Sequence, residues 1–165
     1  MGGEKKKKNK ECVELFFIGN NSVGVTGSSI YGIFKDEEFL IELGGVQDGT
    51  LLENYRANKA LLDKIDFTRI KYIFLNHFHQ DHAMLILGAV KRGFNGKIIT
   101  NHQTARITKV LWEDTCHIME HDIKYLKQSK NVILDPLYEN KDVEKTMDYV
   151  CEYKEGIIHK LSPNI

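Results

Sequence analysis

Ile70-Lys71-Tyr72-Ile73-Phe74-Leu75-Asn76-His77-Phe78-His79-Gln80-Asp81-His82 is the stretch on which the reading of this chain depends. Ile70 to Leu75, a β-branched and aromatic run broken only by Lys71, predicts a buried strand. From about Asp81 onward, Ala83, Ile86, Leu87 and Val90 recur at helical spacing and predict a helix, which Gly93 stops. Between strand and helix, four metal-binding side chains (His77, His79, Asp81 and His82) fall within six residues. α/β proteins place ligands and chemistry at the carboxyl ends of strands. The cluster points to a zinc-dependent hydrolase.

The spacing suits that chemistry. Side chains two apart on an extended segment share a side, so His77 and His79 can reach one ion at ~2.0–2.1 Å. Asp81 and His82 open the next helix and approach the same space from another direction, where they can serve a second ion. Two-metal sites hold their ions ~3.5–4 Å apart. A carboxylate among imidazoles fits Zn²⁺ and would also accept Mn²⁺ or Fe. Such ions bring the pKa of a bridging water toward ~7, giving hydroxide that attacks a phosphorus or a carbonyl carbon. A lone histidine is usually a surface or satisfied core residue. Three with an aspartate at a strand-to-helix junction are hard to explain in that way. Phe78 and Gln80 read as structural.

The other histidines carry weaker signals. His102 follows a predicted strand, as His77 does, and is a candidate to line the cleft. His117 and His121 are four apart, but no glutamate follows His117, so they are not the H-E-x-x-H zinc motif. They and His159 read as surface or structural.

Outward from the cluster, Val13 to Ile18 predicts a short strand and Asn20-Asn21-Ser22 with Gly24 a loop. Ser29 to Phe34 and Phe39 to Leu43 predict a hairpin whose polar turn is Lys35-Asp36-Glu37-Glu38. Residues 50–64 predict a helix, with Leu51, Tyr55, Asn58 and Leu62 at its spacing. Lys97 to Thr100 predicts a strand. Ile107, Val110 and Leu111 mark one helix, and Met119, Ile123 and Leu126 another. Val132 to Leu134 predicts a short strand closed by Asp135-Pro136. A last helix carries Asp142 and Glu144 near its start, where acids suit the helix dipole, and Val143, Met147 and Val150 on one face. Residues 157–161 predict another strand start. A hairpin followed by alternating β and α implies an α/β layered domain, a mixed sheet covered by helices.

The chain has 165 residues, 42% hydrophobic and 28% charged, as an ordinary soluble domain does. No apolar run would span a bilayer, and no signal peptide is recognisable at the start, so a cytoplasmic location and no membrane partner are expected. Cys12, Cys116 and Cys151 fit no disulfide framework and read as small thiols. Formal net charge is zero. It is unevenly spread: residues 1–11 carry five lysines against two glutamates and predict a disordered basic tail. Residues 91–130 hold eight basic and four acidic side chains, which suits an anionic substrate.

His-x-His-x-Asp-His is the signature of the metallo-β-lactamase superfamily, and this chain resembles that superfamily over residues 13–165. Leu40-Ile41-Glu42-Leu43-Gly44-Gly45 resembles its first acidic motif. Gly93 to Thr100, His102-Gln103-Thr104, Leu111 to Ile118 and Asp135-Pro136-Leu137-Tyr138 resemble the RNA-processing, β-CASP branch. The resemblance implies αββα layers, two zinc ions, and hydrolysis of phosphodiesters in RNA or DNA. It gives His77 and His79 to one zinc, Asp81 and His82 to the other, and a catalytic part to Asp81 in holding the attacking water. Glu42 would stand behind a ligand and orient it. Glu42 replaces the usual aspartate and adds a methylene. The third motif, a Gly-His segment, would follow Pro163, so residues 12–165 are expected to be the amino-terminal half of a domain, inactive alone. The missing half, or a second copy, would then be a partner. Two alternatives are a non-catalytic metal-binding or regulatory remnant, and a hydrolase of small esters, thioesters or lactams.

Overall fold

The computed structural model describes residues 12–19 and 24–165. The expected basic tail, residues 1–11, lies outside the described residues, as do residues 20–23 of the expected loop.

Among the described residues, six strands form one mixed sheet in sequence order: β1 (Val13–Phe17), β2 (Ile30–Phe34), β3 (Glu37–Ile41), β4 (Ile70–Phe74), β5 (Lys97–Thr100) and β6 (Val150–Glu152). β1, β2 and β3 pair antiparallel; β3 to β6 pair parallel. Parallel neighbours need crossovers. Helix α1 (Leu51–Lys64) joins β3 to β4, α2 (Gln80–Ala83) and α3 (Ile86–Lys91) join β4 to β5, and α4 (His102–Lys130) and α5 (Asn140–Met147) join β5 to β6. The carboxyl ends of β3 to β6 therefore share one rim. Glu42 follows β3 on that rim, the histidine cluster follows β4, and His102 follows β5.

The expected mixed sheet with helices is present. Its core is the helix-covered face, where Leu40, Ile73 and Ile98 of three adjacent strands are fully buried with Leu62, Leu85, Ile86 and Leu87. Each such side chain contributes roughly 1.5–3 kcal/mol by leaving water. The alternate residues Phe39, Ile41 and Phe74 point to the other face, where they line a groove with Val13, Phe34 and Ile165. Among the described residues, no helix is long and apolar enough to cross a membrane.

Several expectations need correction. The hairpin turn is only Lys35-Asp36; Glu37 and Glu38 lie in β3 and are buried. Their charges are satisfied within the fold. Glu37 accepts from Ser162 Oγ at 2.6 Å and Lys71 Nζ at 3.1 Å, while Glu38 pairs with Arg69 and accepts from the Tyr31 hydroxyl at 2.5 Å. The two helices expected around residues 107–126 are one helix of 29 residues. Its buried stripe runs through Ala105, Thr108, Trp112, Thr115, Cys116 and Leu126, and its threonines hid the continuity. Ile107 and Val110, two of the residues that marked the first of those helices, are 43% and 64% exposed. Val132–Leu134 is not a strand; it follows the left-handed helix cap at Asn131, φ 53°. The sixth strand comes instead from Val150–Glu152, because α5 ends at Met147 and Tyr149 O accepts from Ile98 N at 2.8 Å. Residues 157–161 form no strand.

The helix expected from Asp81 is interrupted between α2 and α3 for a reason that matters to the site. In an unbroken helix the carbonyls of Asp81 and His82 would accept from Leu85 and Ile86. Here Asp81 O accepts from Ser28 N at 2.8 Å and His82 O from Leu43 N at 3.0 Å. Leu85 N turns to Leu43 O at 3.0 Å.

Candidate metal centre

Three loops converge at the rim. The loop after β3 presents Glu42 and the loop after β4 presents the histidine cluster. Ser28, just before β2, lies against both: its amide donates to Asp81 O, and its hydroxyl donates to Glu42 Oε2 at 2.5 Å. Gly44 makes this close approach possible, since a Cβ there would meet Asp81 O at 1.6 Å. A Cβ on Gly45 would meet the Met84 methyl at 1.8 Å. Gly44 N donates to Ser28 O at 2.8 Å and Gly45 N to Gln80 O at 3.1 Å, so the loop is sewn to both neighbours.

Glu42 is 7% exposed and adopts φ 61°, the left-handed region that residues with a Cβ avoid. Its amide donates to Phe74 O at 2.8 Å, continuing the parallel ladder one residue beyond β3. Each carboxylate oxygen then faces a different histidine. Oε2 lies 2.6 Å from His82 Nδ1, and Oε1 lies 3.7 Å from His77 Nδ1. Glu42, His77 and His82 can each place a donor atom within 4.8 Å of the others.

The remaining cluster residues stand around this group. His82 Nε2 faces Asp81 Oδ2 at 3.3 Å. The His77 ring lies 3.9 Å from that of His82 and 5.0 Å from that of His79, between centroids. His79 is the N-cap residue of α2, is exposed, and lies outside the converging three. Glu42, expected behind a ligand, stands with His77 and His82 in the converging group, and His79, expected to share an ion with His77, lies beside it. His102 sits one strand along the rim, where its Nδ1 contacts Glu152 Oε2 at 2.5 Å. His117 and His121 are exposed on α4, and His159 Nε2 contacts Lys154 O at 2.8 Å.

These donors fit a divalent cation. Burial, reinforced by the neighbouring His82, pushes the His77 pKa below its ordinary 6.5, which favours the neutral imidazole that metals bind. His82 Nδ1 is buried, and its close contact with Glu42 is not aligned as a hydrogen bond. Two ligands at ~2.0–2.1 Å from one tetrahedral ion stand roughly 3.3 Å apart. His82 Nε2 and Asp81 Oδ2 have that spacing, with Glu42 against the opposite ring nitrogen.

Sequence reasoning missed the supports. Trp112, 1% exposed on α4, donates from Nε1 to Ala83 O at 3.1 Å and fixes α2 from behind. Asn58 clamps the Val46 backbone through Oδ1 at 2.7 Å and Nδ2 at 3.2 Å, holding the loop that follows Glu42. The one signal for Asn58 was a polar residue on the buried stripe of α1.

No family model matches the chain. The chain is 31% identical over 126 residues to cleavage and polyadenylation specificity factor subunit 3-I of Arabidopsis thaliana, a match covering 74% of this chain and 16% of that protein. It is 24% identical over 153 residues to the transcription termination factor FttA of Methanococcus maripaludis, covering 91% and 21%. It is 27% identical over 135 residues to the endoribonuclease YSH1 of Candida glabrata, covering 80% and 16%. The chain thus spans about a fifth or less of the curated relatives it matches. Among solved structures, a metallo-β-lactamase of Cronobacter sakazakii superposes with a TM-score of 0.40 at 20% identity, covering 63% of this chain and 37% of that one. The chemotaxis sensor ODP superposes with a TM-score of 0.39 at 15% identity, covering 61% and 38%. This chain is a distant homologue of the β-CASP RNA-processing proteins, over part of their length.

Proposed function

We propose that this chain is the metal-binding section of a hydrolase that cleaves phosphodiesters in RNA with two divalent ions, zinc by preference. The observation that carries this reading is the convergence of Glu42, His77 and His82 on the rim, with Asp81 Oδ2 3.3 Å from His82 Nε2. RNA as substrate rests on the relatives, one of which is named an endoribonuclease. The basic balance of residues 91–130 supports an anionic substrate.

When bound, a pair of such ions supplies Lewis acidity and a water that is nucleophilic at neutral pH. The chain's own residues do the positioning. His77 and His79 hold one side of the site, and Asp81 and His82 the other. Glu42 packs Oε2 against His82 Nδ1 at 2.6 Å and restrains that ring by contact. Asp81 accepts a hydrogen bond from the attacking water and orients it. Catalytic zinc takes at least three protein ligands per ion, so two ions need more donors than this cluster offers. A companion segment or a second copy supplies them.

Metal per chain, measured by elemental analysis beside a His79→Ala control, tests the site. RNA, DNA and a chromogenic ester assayed side by side test the substrate. Zinc that falls in the control, with RNA cleaved in preference to ester, supports the proposal. Zinc content unchanged by His79→Ala, or ester hydrolysis without RNA cleavage, would falsify it. A second reading, a metal-binding module without catalysis, is favoured by the exposed position of His79 outside the converging three. It requires bound zinc, and RNA binding that Asp81→Asn leaves unchanged.

A further inference from the structure

β1 (Val13–Phe17) lies at one edge of the sheet, and among the described residues it pairs on one side only, with β2. All five of its residues are exposed. Edge strands are ordinarily blunted by lysine, proline or a bulge. β1 reads Val-Glu-Leu-Phe-Phe, in unbroken register with β2, and its one charge is Glu14. β6, at the opposite edge, is only three residues long.

The register fixes which backbone groups of β1 are open. Glu14 stands opposite Ile33 and Phe16 opposite Tyr31 in the antiparallel pair. The same register sets Ile18 opposite Ser29, and Ile18 N donates to Ser29 O at 3.1 Å. Hydrogen-bonded and non-bonded residue pairs alternate along such a ladder. Glu14, Phe16 and Ile18 therefore bond to β2, and the amides and carbonyls of Val13, Leu15 and Phe17 point to the open edge. The side chains of these three lie together on the face that the helices leave uncovered, where Val13 walls the groove with Phe34, Phe39, Ile41 and Phe74. They are 51%, 48% and 69% exposed, in chain order. Leu15 stands beside Gly32 of β2, which offers it no side chain.

We propose that β1 pairs with β1 of a second copy of this chain, antiparallel about a two-fold axis at Leu15, so that two six-stranded sheets become one. The strand is complementary to itself in three respects. Its outward groups recur at residues 13, 15 and 17, so in a strand running the other way Val13 meets Phe17 and Leu15 meets its counterpart. Every outward N–H then finds a carbonyl. The apolar side chains match as well, because Phe17 of each copy falls beside Val13 at the wall of the other's groove. The charge is also placed. Glu14 comes opposite Phe16, whose groove on the helix-covered face is lined by Lys64 and Arg69. An axis shifted to Glu14 would instead set two carboxylates against each other. Each copy offers one such edge, so the assembly closes at two.

The copies run in opposite directions, so the rims carrying Glu42 and the histidines lie at opposite ends of the joined sheet. The pairing adds no metal ligand and is expected with zinc present or absent. Its failure would leave the metal reading untouched.

The test is sedimentation velocity of the whole chain, from about 1 μM to about 1 mM. An interface this small should give a dimer with a Kd on the order of 10–100 μM. Leu15→Lys sets like charges face to face at the axis. It should leave the chain monomeric at every concentration, with an unchanged thermal midpoint because residue 15 is half exposed. The register is tested by cross-linking in a Cys12→Ser background. Directly opposed residues of a bonded pair have Cα atoms about 5.5 Å apart, within reach of a disulfide. Leu15→Cys should give a covalent dimer under oxidised glutathione, and Glu14→Cys should not. A monomer throughout the range, larger aggregates with no discrete dimer, a dimer that survives Leu15→Lys, or cross-linking as ready at residue 14 as at 15 would each overturn the proposal.

Discussion

Glu42 combines the two features that mark a working residue: a buried charge and a left-handed backbone at φ 61°. Such a backbone costs of order 1–2 kcal/mol in a residue with a Cβ and persists only where its surroundings impose it. Here the ladder bond to Phe74 O and the Ser28 contacts impose it. Glu42→Gln keeps the shape and removes the charge. Zinc affinity, measured by chelator competition, is expected to fall about 10–100-fold with the fold intact. Unchanged affinity would remove Glu42 from the site. His77, His79, Asp81 and His82 were legible because their chemistry is crowded into six residues. The place of Glu42 was not, because a motif gives proximity and leaves open which histidine each carboxylate oxygen faces. Cys116 shows the opposite case, a reactive group made inert. Burial pushes its pKa from an ordinary 9.0 to about 12. At pH 8 it should resist a thiol reagent in the folded chain, while exposed Cys12 reacts. A raised acid pKa means that the unfolded thiol ionises first, so this group's contribution to stability is lost as pH rises from 9 toward 12. Cys116→Ala should flatten that alkaline loss in urea titrations at pH 9 and 11.

At the scale of elements, the site depends on a four-residue helix that could not stand alone. α2 keeps its place because its carbonyls bond to other loops and Trp112 braces it. Gly44→Ala would drive a methyl group into Asp81 O, where the neighbour is backbone and cannot swing aside. A loss of about 3 kcal/mol or more is expected in urea denaturation, with zinc binding lost alongside. A stable Gly44→Ala chain with full zinc would mean that the two loops need not touch. The strand before the cluster was legible because β4 is an apolar run broken only by Lys71. The helix after it was legible only in outline, since apolar spacing does not reveal carbonyls diverted to Ser28 and Leu43. β6 went unseen because Val150 also continues the apolar face of α5. Glu37 and Glu38 read as a turn because charge in a sequence does not announce its partner, and apart from Tyr31 theirs lie far along the chain at Lys71, Ser162 and Arg69.

At the scale of the molecule, Glu37 ties the sheet to the segment around Ser162, 125 residues away. The Ser162 hydroxyl, working against burial and helped by Lys71, holds the Glu37 carboxyl below the usual carboxylate range. Its stabilisation is therefore full above about pH 4.5 and lost as pH falls through the lowered value. Glu37→Gln should lower the thermal midpoint at pH 7 and leave it less dependent on pH below 4.5. An unchanged midpoint at pH 7 would show that the tether carries no weight. The diverted carbonyls of Asp81 and His82 have a consequence of their own. The donors are placed by Ser28 and Leu43, which come from different parts of the sheet, so the motif has no pocket of its own to carry. A synthetic peptide of residues 70–90 should chelate zinc no better than any loose cluster of imidazoles. In the whole chain, metal release and loss of secondary structure should share a single denaturant midpoint, which makes a bound ion a gauge of whether three distant stretches of chain have found one another.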